Sequence, residues 1–224
     1  MKCLYPIAEL PLWRFVMPVI ESNMYLLLDG DEALVIDPHA NPEAEELLRE
    51  NGVKHCLILL THEHYDHISG VNWLRERCSC EVVCTEACAE RIVDPSTNAA
   101  KYFQALLMDK SREELKLFTP LWDRGYGCRA DVSYDESLSL KWRGLPLSLQ
   151  RAPGHSPGGQ LITVCDKHVF TGDNLIPGQD VITRLPGGSK KDYQEKTLPL
   201  IKALPPDCLL YPGHGQEVRN GFSI

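Results

Sequence analysis

The chain has 224 residues, 43% hydrophobic and 24% charged, enough apolar material for a sizeable core and not the composition of a disordered segment. Its formal net charge of −8 argues against a nucleic-acid surface, which would be basic. The opening stretch "MKCLYPIAELPLWRFVMPVIES" is broken by Pro6, Pro11, Arg14 and Pro18, so neither a signal peptide nor a membrane span is expected, and a cytoplasmic protein without a membrane partner is.

In chain order, "NMYLLLDGDEALVIDP" reads as two strands, Met24–Leu28 and Ala33–Asp37, joined by a glycine-containing hairpin turn. A helix follows from Pro42 to Asn51, with proline and acidic residues in its first turn and Gly52 stopping it. The apolar run Cys56–Leu60 is too short for a helix and suits a buried strand. Ile68–Arg77 reads as helix and Glu81–Cys84 as strand. Such alternation points to a layered α/β domain.

Residues 85–136 differ. "NAAKYFQALLMDKSREELKLF" sets Tyr102, Phe103, Leu106 and Leu107 at helical spacing, which predicts a helical insertion that covers the core. The same insertion could overhang a pocket as a lid or substrate wall, and the two roles are compatible. Strands resume at Leu145–Arg151, Gln160–Val164 and His168–Thr171. A helix Lys190–Ala203 then leads to a last strand, Cys208–Tyr211. With no repeat and no linker, residues 1–224 are expected to form a single domain.

Nine cysteines is a high and odd count. Cys78, Cys80, Cys84 and Cys88 cluster in "CSCEVVCTEACAE", which raises a second metal or redox site. A zinc knuckle needs paired Cys-x2-4-Cys units with a distant second pair, which this cluster does not supply, so reduced, partly buried thiols are expected.

Four polar segments sit just past predicted strands: "THEHYDH" (61–67), "APGHSPGG" (152–159), "TGDN" (171–174) and "YPGHG" (211–215). Together they carry His62, His64, Asp66, His67, His155, Asp173 and His214. Five of the eight histidines therefore fall in these loops; His39, His55 and His168 lack such company. A lone histidine is more often a satisfied core or surface group, but a solvated turn does not explain four strand-ending loops that each carry a ligand type. Imidazole with carboxylate suits zinc, iron or manganese, whereas an all-oxygen set would suit calcium or magnesium. Extended backbone would project His62 and His64 to one side, leaving Glu63 and Tyr65 on the other as non-ligands. Asp37 and His39 in "IDPHAN" read first as a turn pair before the helix; the alternative for His39 is to line the substrate cleft or support a ligand.

"THEHYDH" resembles the H-x-H-x-D-H signature of the metallo-β-lactamase superfamily, and "GHSPGG", "TGD" and "PGHG" follow in that family's order. "NMYLLLDGDEALVIDP" and "RLPGGSKKDY" (184–193) are similar to its glyoxalase II (hydroxyacylglutathione hydrolase) branch. The resemblance covers most of the chain outside roughly residues 85–140. It implies a four-layer αββα sandwich with metals at one edge. It also implies that His62, His64 and His155 hold a first ion, that Asp66, His67 and His214 hold a second, and that Asp173 bridges them.

The implied cofactor is two divalent ions, zinc first, with iron or manganese as alternatives. The implied activity is hydrolysis of an ester-like bond, a thioester foremost, by a metal-bound hydroxide that Asp66 orients as the catalytic residue. Its substrate would be a small molecule, bound with no nucleic-acid partner. Gly187, Gly188, Ser189 and Lys190 or Lys191 could hold an anionic substrate end, or Ser189 could simply cap a helix. Ten residues follow His214, where glyoxalase II proper carries a helical extension that helps bind glutathione; this counts against hydroxyacylglutathione hydrolase activity itself. Alternatives of the same fold are an iron-dependent persulfide dioxygenase, a lactonase and a phosphodiesterase. From another class, a non-catalytic metal-binding or redox-sensing protein would be free to lose ligands, and here all seven positions are filled. The substrate determinant is expected between Asn98 and Phe118.

Overall fold

A computed structural model describes residues 1–221, without the side chain of Leu106, so that member of the expected apolar stripe lies outside the described residues. Seven strands form a first sheet in chain order: β1 (Lys2–Cys3), β2 (Leu12–Val16), β3 (Asn23–Asp29), β4 (Glu32–Ile36), β5 (His55–Leu59), β6 (Ser79–Thr85) and β7 (Val132–Tyr134). The second sheet holds β8 (Ser137–Trp142), β9 (Leu145–Arg151), β10 (Gln160–Val164), β11 (His168–Gly172), β12 (Leu209–Pro212) and β13 (Val218–Arg219), in the order β13-β12-β11-β10-β9-β8.

The layering follows from the two-residue period of extended chain. Leu26, Leu28, Ala33, Val35, Cys56 and Ile58 face one apolar cluster, which also holds Leu48 of α1 (Pro42–Glu50) and Leu74 of α3 (Val71–Arg75). Their neighbours Tyr25, Leu27, Leu34, Ile36 and Leu59 face the opposite way, against Leu147, Leu149, Ile162 and Phe170 of the second sheet. A third cluster joins Leu161, Val169 and Leu210 to Ile201 of the helix that covers the second sheet. Helix, sheet, sheet and helix make the αββα sandwich, and the fold class is α/β.

The helix expected over Ile68–Arg77 is two short ones, α2 (Tyr65–Ile68) and α3, broken at Ser69–Gly70. At the break the Gly70 N–H donates to the Pro38 carbonyl at 2.7 Å rather than into the preceding turn, and the close approach requires glycine, since a Cβ there would lie 2.6 Å from the backbone nitrogen of His39. The helix over Lys190–Lys202 contains a wide turn at Tyr193–Thr197, where Pro199 has no N–H to give the preceding turn.

The helical expectation for 85–136 is corrected at both ends. Thr85 closes β6, and Val132–Tyr134 is a seventh strand paired in parallel with it. Between them lie α4 (Glu86–Arg91), a 3-10 segment Ala100–Leu107, and α5 (Arg112–Phe118). The expected single helix is split because Ser111 forms a capping box with Glu114, which starts a new helix there. Strands β1, β2, β7, β8 and β13 are additions to the sequence reading, and all but β2 are sheet edges. Among the described residues, no helix is long and apolar enough to cross a membrane.

Candidate metal centre

The C-terminal ends of β5, β9, β11 and β12 meet at one edge of the sandwich, and the loops that leave them carry the seven predicted residues. His64 is the extended residue that caps α2, so Asp66 and His67 fall in the first helical turn. The loop from β12 is tied down by Asn23, whose Nδ2 donates to the carbonyls of Pro212 and Gly215 at 3.0 Å, and by the Tyr25 hydroxyl, which donates to Pro212 at 2.8 Å. Gly213 is required there: a Cβ would fall 2.8 Å from the His67 ring and even closer to Asp173 Oδ1.

The side chains form two clusters that share a carboxylate. One ring nitrogen from each of His62, His64 and His155 lies within 4.8 Å of the others, and so do the donor atoms of Asp66, His67 and His214. Asp173 lies between the clusters. Its Oδ1 is 3.5 Å from His67 Nε2, and its Oδ2 is 3.5 Å from His155 Nε2 and 3.6 Å from His214 Nε2. Asp66 Oδ2 is 3.3 Å from both His67 Nε2 and His214 Nε2.

Hydrogen bonds on the outer side of the rings settle which nitrogens point inward as bare lone pairs. His155 Nδ1 donates to the carbonyl of Ile182 at 2.8 Å. Thr61 Oγ1 gives its proton to Asp37 Oδ2 at 2.5 Å, so His62 Nδ1, 3.1 Å away, must donate to Thr61. Both Nε2 atoms then present lone pairs to His64 Nδ1, each at 3.1 Å, and one N–H can serve only one of them. His67 Nδ1 donates to Asp37 Oδ2 at 2.9 Å, so its Nε2 lone pair faces the oxygens of Asp66 and Asp173. Among the described residues, His67 Nε2 and Asp173 Oδ1 are buried without a hydrogen-bond partner. Lone pairs aimed at lone pairs in a buried site repel unless a cation stands among them, and imidazole with carboxylate is a donor set for divalent transition ions. The residues fit such ions.

The electrostatics agree. Burial holds the His62 imidazole well below its ordinary range and pulls His64 down to about 3, so both stay neutral ligands. Burial would also push His67 down, but the carboxylates of Asp66, Asp173 and Asp37 outweigh it and favour positive charge there, a charge that a cation among these oxygens would supply in place of a proton on Nε2. Burial opposes ionised Asp66, yet His67 and His214 keep its carboxyl well below the usual range.

Asp37 is the residue whose role sequence reasoning missed. It does sit in the bend before the first helix, with φ 53°, but it is also the buried acceptor that orients His67 and holds the Thr61 N–H at 2.7 Å. The available signal was topological: β4 and β5 are parallel neighbours, so the residue after Ile36 lies beside the residues after Leu59. His39 is fully buried, and among the described residues neither of its ring nitrogens has a hydrogen-bond partner. Asp37→Asn should lower metal affinity about 10- to 100-fold while leaving the fold intact, measured by competition with a chelator.

Glu63 and Tyr65 turn away from the clusters. Glu63 is fully buried against Arg91 (2.7 Å), the Ser156 hydroxyl (2.9 Å) and the Gly158 N–H (3.1 Å). The Tyr65 hydroxyl donates to Leu121 at 2.8 Å and accepts from the Asp123 N–H at 2.9 Å, which ties the metal loop to the segment that follows α5.

Above the clusters opens a cavity of about 490 Å³ with His64, Asp66, His155, Asp173 and His214 in its wall. Val19, Ile20, Tyr102, Phe103 and Leu107 add an apolar surface, and Lys110 and Arg184 add positive charge. The expected substrate segment, Asn98 to Phe118, does reach this wall. Lys190 and Lys191 are exposed and are not among its lining residues, and Ser189 caps the helix by accepting from the Asp192 N–H.

A family model described as the metallo-beta-lactamase superfamily matches residues 17–214. A probable metallo-hydrolase, YqgX of Bacillus subtilis, is 28% identical over 95% of this chain and 99% of its own length. The mitochondrial persulfide dioxygenase ETHE1 of Homo sapiens is 26% identical over 97% of this chain and 72% of its own length. Among solved structures, the BLEG-1 B3 metallo-beta-lactamase superposes with a TM-score of 0.75 at 26% identity, covering 94% of each chain. With two His- and Asp-rich clusters at the edge of an αββα sandwich and a family match over nearly its whole length, the chain is an enzyme of the metallo-β-lactamase superfamily, to which it belongs.

Proposed function

We propose that the chain is a hydrolase of ester-like bonds, thioesters foremost, that works with two divalent ions, zinc first. His62, His64 and His155 hold one ion, Asp66, His67 and His214 hold the other, and Asp173 serves both. The observation that carries this reading is the shared carboxylate: Asp173 faces both clusters at ligand-like distances while its Oδ1 is buried without a partner. Ions in such a site supply water that ionises near neutral pH and polarise the bond to be cleaved.

The chain's own residues do the rest. Asp66 holds its position in the second cluster and accepts a hydrogen bond from the attacking water, so that the water's lone pair points at the substrate carbonyl. Asp37 keeps His67 in the tautomer with an inward lone pair. Water oxygen adds to the carbonyl carbon, the carbon–sulfur bond breaks, and the thiol leaves with the proton. The apolar wall of Tyr102, Phe103 and Leu107 excludes bulk water from that face. Lys110 and Arg184, rather than Lys190 and Lys191, bind an anionic end of the substrate. Residues 98–118 thus act as a wall or lid of the site.

The thioester preference rests on the sequence resemblance to the glyoxalase II branch. Similarity to ETHE1 along almost the whole chain favours a second reading, a persulfide dioxygenase with a single iron. Metal analysis with a panel of thioesters, lactones, phosphodiesters and glutathione persulfide separates them. Thioester turnover with zinc supports the first reading; oxygen uptake with iron replaces it with the second. Arg184→Ala should raise KM several-fold, on the order of 1 kcal/mol, for a carboxylate-bearing thioester but not for a neutral one, with kcat nearly unchanged.

A further inference from the structure

The sequence groups Cys78 with Cys80, Cys84 and Cys88, but the fold divides them. Cys84 and Cys88 are fully buried in the helix-side core. Cys78 and Cys80 instead meet Cys56, which lies 22 residues before Cys78. Cys56 stands on β5 and Cys80 on β6, at paired register positions on one face of the sheet; Cys78 sits in the bend that leads from α3 into β6. Cys78 Sγ is 3.2 Å from Cys56 Sγ and 3.8 Å from Cys80 Sγ, and all three sulfurs lie within 4.8 Å of one another.

We propose that Cys56, Cys78 and Cys80 form a second metal site, a three-thiolate site for a soft ion of low coordination number, Cu(I) foremost. Three sulfurs about 2.3 Å from one ion stand about 3.8–4.0 Å apart. The Cys78–Cys80 separation of 3.8 Å falls at the lower end of that range, and the Cys56–Cys78 pair must open from 3.2 Å by roughly 0.6–0.8 Å. Cys78, half-buried in a bend, has the freedom to make that shift. Three donors from three separate parts of the fold suit an ion better than a disulfide, which would use two and leave the third. No fourth Cys, His, Asp or Glu joins the group among the described residues, and soft thiolate sets of this size select low-coordinate ions. The neighbouring sulfurs of Cys56 and Cys80 outweigh burial and pull the Cys78 thiol below its ordinary range. Cys78 with burial pushes Cys56 up and, against the pull of Cys56, also Cys80, so the group holds one thiolate and a metal must displace the other two protons. On binding, each remaining thiol releases its proton and the three sulfurs donate lone pairs, with no change of oxidation state. Cys56 lies near the entry of β5 and the catalytic loop leaves its exit, so about 10 Å or more of extended chain separates the sites.

The test is anaerobic titration of the reduced, zinc-loaded protein with Cu(I) delivered from a weaker chelator, read by ultraviolet thiolate-to-metal charge transfer and X-ray absorption. Expected is one Cu(I) per chain in an all-sulfur environment. Affinity should fall about tenfold or more in Cys78→Ser and in Cys80→Ser, should be unchanged in His64→Ala, and hydrolytic activity should be intact in Cys78→Ser. Circular dichroism and melting curves establish that the serine variants fold. Equal Cu(I) uptake by the Cys78→Ser, Cys80→Ser double variant would overturn the site. So would a copper environment of nitrogen and oxygen.

Discussion

If the proposed thioester hydrolysis holds, replacing Asp66 by alanine should lower its kcat/KM on the order of 10³-fold, and His64→Ala should do the same. Each variant removes a donor whose neighbours cannot replace it. Asp66 Oδ2 is the atom that stands between His67 and His214, and His64 Nδ1 is the atom on which the His62 and His155 lone pairs converge. Steady-state kinetics with metal analysis of the same samples separates the roles. Loss of one ion per chain is expected for either variant, and full activity in both would remove Asp66 from catalysis. The fold should survive, because both side chains lie at the sandwich edge and outside its three apolar clusters.

The second large effect concerns stability. Arg91→Ala should destabilise the protein by about 3 kcal/mol at pH 8, because it strands the fully buried Glu63 carboxylate. Burial already raises Glu63 above the ordinary carboxyl range, against the pull of Ser156, Arg91 and Gly158. A raised folded-state value means that the folded protein binds a proton more readily than the unfolded chain. The cost of the ionised group is therefore absent below the unfolded value and grows as pH rises through the folded one. The deficit of Arg91→Ala should accordingly shrink between pH 8 and pH 5, measured by urea unfolding against the parent protein. A deficit that grows on acidification would contradict this sign. Glu63→Leu together with Arg91→Ala should recover most of the loss, since it removes the charge that the single variant strands.

Glu63 also shows where the sequence was legible and where it was not. Alternation along an extended loop separated it correctly from His62 and His64, but nothing local announced that a buried ion pair with Arg91, on another element, holds that loop. The seven clustered residues could be named because each follows a buried strand, and strand ends of one layered fold meet at one edge. Asp37 escaped because its work depends on the parallel pairing of β4 with β5, and pairing is not written in local propensity. Cys56 escaped for the same reason: only register against β6 brings it beside Cys80. Inner strands were readable as short apolar or alternating runs, Leu145–Arg151 and Gln160–Val164 to the residue. The edge strand Ser137–Trp142, whose odd-numbered positions face solvent, carries a weaker signal. Between Asn98 and Phe118 helix formers predicted one helix, but a capping box at Ser111 and a 3-10 segment before it gave two. That segment's contribution to the cavity wall was anticipated, whereas the cationic residues there are Lys110 and Arg184.

The most direct measurement is stoichiometric reconstitution. The Cys78→Ser protein, which lacks the complete thiol cluster, is stripped by exhaustive chelation and titrated with zinc while thioester hydrolysis is followed. Two ions sharing Asp173 predict no turnover in the stripped protein and full recovery at two zinc per chain, with a higher melting temperature at saturation. Undiminished hydrolysis by the metal-free protein, or saturation at one zinc per chain, would contradict the two-ion centre.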